Sequence, residues 1–153
     1  MYAYVSYRVA NGADAEEVTS SVFERAVRYR DSYDPAKGTP IEWLIGIART
    51  QIAQLHVQHT SSGDIEAAEV ADGSDVEGTS LERLTLQEAV RSLDDRSREL
   101  IALRYGIGLS SREIAAELGM QANVVDVALH RARERLRETL ATQGAARSPR
   151  RQA

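Results

Sequence analysis

The chain has 153 residues, with 19 basic side chains, 23 acidic side chains and no cysteine. This length allows one domain or two small ones, and each small domain must be helical and closely packed to be stable alone. The lack of cysteine excludes disulfide scaffolds and thiolate metal sites and fits a reducing compartment. The sequence has neither an apolar run of about eighteen residues nor a secretion signal, so we expect a soluble, cytoplasmic protein without membrane insertion.

The charges divide the chain into three parts. Residues 1–56 carry 6 basic and 7 acidic side chains, and residues 81–153 carry 13 and 10. Between them, residues 57–80 carry 6 acidic side chains and no basic one, with three glycines and little periodicity. Such a composition predicts a flexible acidic linker between two helical domains. Only the last part has a positive balance suited to a polyanion.

Helical patterns dominate the part before the linker. The first ten residues fit a strand or a helix, and we favour a helix because their neighbours are helical. Residues 14–29 have an acidic start, which suits the helix dipole, and apolar residues along one side. Residues 31–40 hold two prolines and a glycine and are predicted to form a loop. Residues 41–58 repeat apolar side chains at helical steps, which predicts a largely buried helix.

Residues 109–140 have the spacing of a helix-turn-helix. Ser110 and Glu113 form a capping-box pattern, which predicts that a helix begins near Ser111. Gly119 suits the sharp exit from that helix because glycine adopts the left-handed conformation at little cost. Apolar residues then recur at steps of three and four and predict the core stripe of a second helix: Val125, Leu129, Ala132, Leu136 and Leu140.

The opposite face of this second helix would meet the major groove of DNA. The arginines farther along the helix suit phosphate contact rather than base reading. An unpaired Asp126 near phosphates would be repelled, although it could accept a hydrogen bond from a cytosine amino group. The alternative is an ordinary two-helix corner with a solvated, arginine-rich last helix. The predicted DNA-contacting residues are Ser111, Arg112, Asn123, Val124, Asp126, Val127, His130, Arg131 and Arg133.

The order of segments resembles an extracytoplasmic-function (ECF) sigma factor of bacterial RNA polymerase, over roughly residues 2–140. The resemblance rests on DAEEVTSSVFERA, on YDPAKGTPIEWLIGIART, and, after the acidic linker, on LSSREIAAELGM and LHRARERLRE. It implies an all-α fold of two small helical domains joined by the linker, the second containing the helix-turn-helix. The implied boundaries are 1–57 for the first domain, 58–80 for the linker, 81–141 for the second domain and 142–153 for a disordered basic tail.

The resemblance also implies a function, which is to direct core polymerase to promoters and to initiate transcription by DNA binding and strand opening. Helix 14–29 would dock on the clamp helices of the beta-prime subunit through Glu17, Ser20, Ser21 and Glu24. The helix-turn-helix would hold the minus-thirty-five element and rest on the beta flap. The loop and the helix after it would capture a flipped base of the minus-ten element and support strand opening. The residues implied there are Tyr33, Asp34, Lys37, Gly38, Trp43 and Arg49.

The sequence departs from the family where a sigma factor meets polymerase or DNA. Ser20 and Ser21 stand where members usually have an acidic or amide pair, and no lysine or arginine occurs between Arg49 and Arg83. The resemblance also implies that the chain starts late relative to the family, by one helical turn or more before Tyr2. Four positions of the recognition helix where members often have Thr, Lys, Ser and Arg are Val124, Asp126, Val127 and Ala128.

Two further hypotheses therefore stay open. The chain could be a sigma-like interaction module that binds polymerase or an anti-sigma factor without reading promoter DNA, or a dimeric repressor, although no apolar dimer stripe is left over. We expect no catalysis and no cofactor, because no phosphate loop, nucleophile triad or carboxylate pair is recognisable. We also expect no metal site, because His56 and His59 have no well-spaced third ligand.

Overall fold

The computed structural model describes residues 1–9, 11–62 and 77–147. Every regular element within these ranges is helical, which confirms the all-α prediction. The chain divides into two compact units, an N-terminal one and a C-terminal one. In the described ranges, none of the helices combines the length and the apolar character needed to span a membrane.

The N-terminal unit contains three α-helices. They are α1 (Tyr2–Arg8), α2 (Gly12–Arg28) and α3 (Pro40–Ser62), with a short 3-10 turn at Arg30–Ser32. The helix favoured for the first ten residues is thus confirmed over Tyr2–Arg8. Helix α2 packs along α3, and α1 contacts both. The buried apolar side chains of these helices include Val5, Ala15, Val18, Val22, Ile45, Ala48 and Ile52.

The C-terminal unit is built around its last and longest helix. Helices α4 (Glu77–Arg91), α5 (Asp95–Ile101) and α6 (Ser111–Leu118) all pack against α7 (Ala122–Arg147). A π-helical segment, Ala102–Ile107, follows α5 in the chain. The buried core of these helices includes Ala89, Val90, Leu100, Ile101, Ile114, Ala115, Val125, Leu129 and Ala132.

The ends of α3, α4 and α7 differ from the predicted boundaries. Helix α3 continues to Ser62 and α4 begins at Glu77, so both ends of the predicted linker, 58–80, are helical, whereas residues 63–76 lie outside the described residues. Neither glycine nor proline interrupts residues 47–62, so nothing in that sequence stops the helix early. The hydroxyls of Thr60 and Ser61 donate hydrogen bonds to backbone carbonyls one turn back, each with a donor–acceptor distance of 2.9 Å.

Helix α7 likewise runs to Arg147, into the segment predicted as a disordered tail, and residues 148–153 lie outside the described residues. Residues 141–146 include three alanines and no proline, and the one glycine among them, Gly144, costs only about 1 kcal/mol relative to alanine, so the helix can continue. The prediction that α3 is largely buried applies only to its first half. Ile45, Ala48 and Ile52 are buried, whereas Ala53 and nearly all the described side chains after it are exposed.

Candidate nucleic-acid interface

Local hydrogen bonds at its two ends delimit helix α6, the first helix of the helix-turn-helix. The Ser110 hydroxyl accepts the backbone N–H of Glu113 (3.3 Å), and the Glu113 carboxylate accepts the backbone N–H of Ser110 (2.7 Å). These bonds from Ser110 lower the pKa of Glu113. The helix ends at Gly119, whose φ of +62° favours glycine. The predicted capping box and helix end are therefore confirmed.

Helix α7 presents one face to α6 and the other to solvent. Val125, Leu129 and Ala132 of the predicted stripe are buried, and the remaining two members, Leu136 and Leu140, are half-buried. Helix α6 contributes the buried Ile114 and Ala115. This packing leaves a set of predicted DNA-contacting residues exposed on the helix-turn-helix: Arg112, Asn123, Val124, Asp126, Val127, His130, Arg131 and Arg133.

Asp126 is not an unpaired acid in this structure. Its carboxylate accepts a hydrogen bond from the hydroxyl of Ser111, the first residue of α6. The bond ties the recognition helix to the start of the preceding helix across fifteen residues of sequence. Ser111 is half-buried and Asp126 is exposed, so the bond lies at the surface of the helix-turn-helix. Asp126 therefore has a hydrogen-bond donor within the protein, so it does not need a cytosine amino group to satisfy its carboxylate.

The arginines of α7 fall into two groups. Arg135 forms an ion pair with Asp94 (2.8 Å), and Arg137 pairs with Glu134 one turn back. In the described part of the chain, the other exposed arginines of the helix-turn-helix form no ion pair: Arg112, Arg131 and Arg133. These three cations are therefore available to a polyanion.

The partner of Arg135 also caps a helix. Asp94 is the N-cap of α5, and its carboxylate accepts the backbone N–H (2.9 Å) and the hydroxyl (2.9 Å) of Ser97. The hydrogen bonds from Ser97 and the nearby Arg135 guanidinium lower the pKa of Asp94. The carboxylate is thus held charged at the start of α5, where the helix dipole favours a negative group.

The N-terminal unit holds a structured loop ahead of α3. The Tyr33 hydroxyl donates to the carbonyl of Gly38 (3.0 Å), and the Tyr33 ring lies 5.5 Å from the Trp43 ring, tilted by 49°. Asp34 accepts the N–H of Ala36 (3.0 Å) and lies 3.7 Å from the Lys37 ammonium. The structure therefore brings five of the six residues predicted for the minus-ten element into one place.

The end of this loop is fixed by a second capping arrangement. The Glu42 carboxylate accepts the backbone N–H (2.6 Å) and the hydroxyl (3.0 Å) of Thr39. Gly38 precedes it with φ of +153°, and a Cβ added there would lie 2.8 Å from the Glu42 carboxylate oxygen. A side chain at position 38 would therefore compete with the cap that starts α3.

Trp43 opens onto a small pocket of about 210 Å³ between α2 and α3. The pocket is lined by Tyr29, Ile47 and the guanidinium-bearing side chain of Arg25, among others. Arg49 is half-buried and, at about 100° per residue, lies about 240° around α3 from Trp43. Arg25, which the sequence pattern did not single out, lines the same pocket as Trp43, and Arg49 is not among the lining residues of that pocket.

The residues predicted to bind polymerase do not all share one surface. Glu17, Ser20 and Glu24 are exposed on α2, but Ser21 is half-buried and donates to the side-chain oxygen of Gln51 on α3 (2.7 Å). Gln51 is a buried polar residue, so Ser21 satisfies an internal acceptor.

Two apolar residues beside Ser20 and Glu24 are exposed instead of buried. Phe23 is 48% exposed and Val27 is 66% exposed, and with Ser20 and Glu24 they line a shallow groove on α2. Their spacing of four residues, outside the buried Val18 and Val22 stripe, is the signal by which the sequence could have found them.

The fold and these surfaces define an all-α protein of two compact units, of which the second contains a helix-turn-helix. Residues 1–61 match the family model for Sigma-70 region 2, and residues 83–136 match that for Sigma-70, region 4. The chain is 32% identical over 143 residues to the RNA polymerase sigma factor CarQ of Myxococcus xanthus, covering 90% of this chain and 80% of that protein. It is 30% identical over 139 residues to the ECF RNA polymerase sigma factor BldN of Streptomyces coelicolor, covering 86% of this chain and 53% of that protein.

Solved structures show the same fold. The sigma factor RpoE of Bartonella quintana, in complex with the anti-sigma factor NepR, has a TM-score of 0.69 and 22% identity, covering 92% of this chain and 89% of that one. The structure of CnrH in complex with the cytosolic domain of CnrY has a TM-score of 0.64 and 23% identity, covering 92% and 81%. The chain belongs to the ECF sigma factors of the sigma-70 family. It spans about half the length of BldN and four-fifths that of CarQ.

Proposed function

We propose that this chain is a promoter-specificity subunit that binds core RNA polymerase, holds both promoter elements and assists strand opening. In this proposal, residues 1–57 act on polymerase and the minus-ten element, residues 58–80 connect the units, and residues 81–141 act on the minus-thirty-five element. The observation that carries it is the outer face of the helix-turn-helix, where Arg112, Arg131 and Arg133 form no ion pair within the described ranges. Such cations contact DNA phosphates.

The loop before α3 supports a role at the minus-ten element. Extruding a base from a duplex costs a few kcal/mol of stacking, so the loop must offer a fixed shape and an aromatic surface. Tyr33 and Trp43 provide the aromatic rings. The hydrogen bond from the Tyr33 hydroxyl to the Gly38 carbonyl closes the loop from residue 33 to residue 38. We assign Asp34, Lys37 and Arg49 to the same function on the basis of the family resemblance alone.

The exposed groove on α2 supports the polymerase contact. Phe23 and Val27 add apolar area beside Ser20 and Glu24. Glu17 lies about one helical turn before Ser20 on the same helix. We place the beta-prime clamp helices on this groove and the beta flap on the C-terminal unit. Because Ser21 is bonded to Gln51, we expect it to contribute to the packing of α2 on α3 more than to the clamp. The chain would work in the cytoplasm, without catalysis of its own.

A sigma-like module that binds polymerase or an anti-sigma factor without reading a promoter is the alternative. Three observations favour it, namely the acid at position 126, the internal pairing of Arg135 and Arg137, and the lack of lysine or arginine in α3 after Arg49. Fewer free cations mean fewer phosphate contacts and a weaker salt-dependent affinity.

Run-off transcription separates the two functions. The purified chain is mixed with core polymerase, the complex is isolated by gel filtration, and transcripts are sequenced from a library of promoter fragments. A specificity subunit gives start sites that core polymerase alone does not use. Capture of core polymerase without any new start site would reject the first function in favour of the second.

A further inference from the structure

The recognition helix exposes two branched apolar side chains next to each other. Val124 is 47% exposed and Val127 is 51% exposed, while Val125 between them is fully buried. Residues three apart are neighbours on a helix surface, so the two valines form one continuous apolar strip. Arg131, four residues after Val127, extends this strip with a cation that has no ion pair within the described ranges.

Asp126 lies on the other flank of the helix. At about 100° per residue, it is about 200° around the helix from Val124. Its carboxylate is bonded to the Ser111 hydroxyl, so that flank faces the start of α6. Asp126 is about 100° around the helix from Val127, so its carboxylate lies beside the valine strip, bonded to Ser111, while Arg131 is the charged residue on the same ridge as the two valines.

The major groove offers one apolar feature that such a strip fits. Thymine carries a C5-methyl group there, whereas the other edges of the bases carry hydrogen-bond donors and acceptors. Neither valine side chain can make a hydrogen bond. Arg131 beside them complements the phosphates that border the groove, which favours DNA over an apolar protein surface as the occupant.

We propose that Val124 and Val127 read thymine methyl groups at neighbouring base pairs of the minus-thirty-five element, and so determine its sequence. Three helical residues advance about 4.5 Å, which is close to the spacing of about 3.4 Å between base pairs. Asp126 takes no part in this reading because Ser111 holds it on the other flank. The inference rests on the proposed function, since it requires the helix-turn-helix to bind promoter DNA.

The test uses holoenzyme formed from core polymerase and the full chain. Promoters are first selected from a library randomised in the upstream element, and each thymine in the selected element is then replaced by deoxyuridine, which removes only the methyl group. We expect the loss of each methyl group that a valine contacts to weaken promoter binding about fourfold, from the free energy of burying one such group. Deoxyuridine in the spacer between the two promoter elements should have no effect.

Variants assign the effect to the strip. Holoenzyme with Val124→Ala or Val127→Ala should bind promoters with thymine and with deoxyuridine equally well at one promoter position. The control is Val57→Ala, a substitution of an exposed valine on α3, which should keep the difference in binding. This inference would be overturned if the selected upstream elements lacked thymine, or if holoenzyme bound the deoxyuridine promoters as tightly as the thymine promoters. Either result would leave the proposed function standing. If the valine variants bound core polymerase less tightly but kept the same base preference, the strip would instead be assigned to a protein partner. If no promoter is selected at all, the proposed function and this inference both fail.

Discussion

We expect the charge at position 126 to change how strongly the binding of DNA by the helix-turn-helix depends on salt concentration. The perturbation is Asp126→Lys, which breaks the bond to Ser111 and places a cation at the start of the recognition helix. The wild-type unit has three exposed arginines without an ion pair in the described ranges. Each phosphate contact changes the slope of log affinity against log salt by about −0.9, so the expected wild-type slope is about −2.7.

The variant gains one contact, and its slope becomes about −3.6. Between about 50 and 200 mM salt, affinity should then fall about 150-fold for the variant and about 40-fold for the wild type. The measurement is fluorescence anisotropy of a labelled duplex of random sequence, titrated with the full chain at several salt concentrations.

Asp126→Asn is the matched control, because its amide oxygen can still accept the Ser111 hydroxyl while the charge is gone. Its slope should stay near the wild-type value, and its affinity should rise at every salt concentration. An Asp126→Lys slope equal to that of Asp126→Asn would mean that position 126 does not face the phosphates, which would refute the reasoning.

Four other predictions concern the α5 cap and the loop before α3. Asp94→Ala should lower the free energy of unfolding by about 1 kcal/mol in urea titrations, and Asp94→Asn by less because it still caps α5. Folding lowers the pKa of Asp94, so its contribution to the free energy of unfolding should be complete above about pH 5 and be lost as the pH falls through the folded pKa. A loss of this contribution on raising the pH would contradict the assignment. Gly38→Ala should lower the free energy of unfolding by about 1 kcal/mol or more, because φ of +153° is strained for a residue with a side chain and because the added Cβ would displace the Glu42 carboxylate from its cap; an unchanged melting temperature would contradict this. Lys37→Ala should slow promoter opening more than initial binding in stopped-flow measurements, and equal effects on both would argue against a base-capturing loop.

Local signals in the sequence determine much of the helix-turn-helix. Ser110, Glu113 and Gly119 act within one or two turns of chain, so the pattern of residue types alone locates both ends of α6. The apolar stripe of α7 follows in the same way from a repeat of three and four residues. The segments that match the two sigma-70 regions are recognisable because such local motifs occur in a fixed order.

Contacts between distant side chains were not predictable from those patterns. The bonds from Ser111 to Asp126 and from Ser21 to Gln51 join residues 15 and 30 positions apart, on different helices. Their formation depends on how the helices pack, which residue spacing along a single helix does not encode. The sequence therefore presented Asp126 as an unpaired charge, whereas in the structure it stays exposed but accepts a hydrogen bond from Ser111.

The exposed apolar groove on α2 was missed for a different reason. Phe23 and Val27 are apolar residues on a helix that also has a buried stripe, so composition alone favours burial for all of them. Which apolar face is covered depends on where α1 and α3 pack, and they cover the face that carries Val18 and Val22. The uncovered face is the one we assign to polymerase.

Strand opening at a selected promoter tests the central claim most directly, because it requires polymerase binding and DNA reading together. Permanganate oxidises unpaired thymines, so a footprint of the promoter with core polymerase and the full chain shows which bases are melted. We expect reactive thymines in the minus-ten element, at a fixed distance downstream of the minus-thirty-five element, and none with core polymerase alone. A complex that contains core polymerase and the chain but leaves every thymine unreactive would contradict the account.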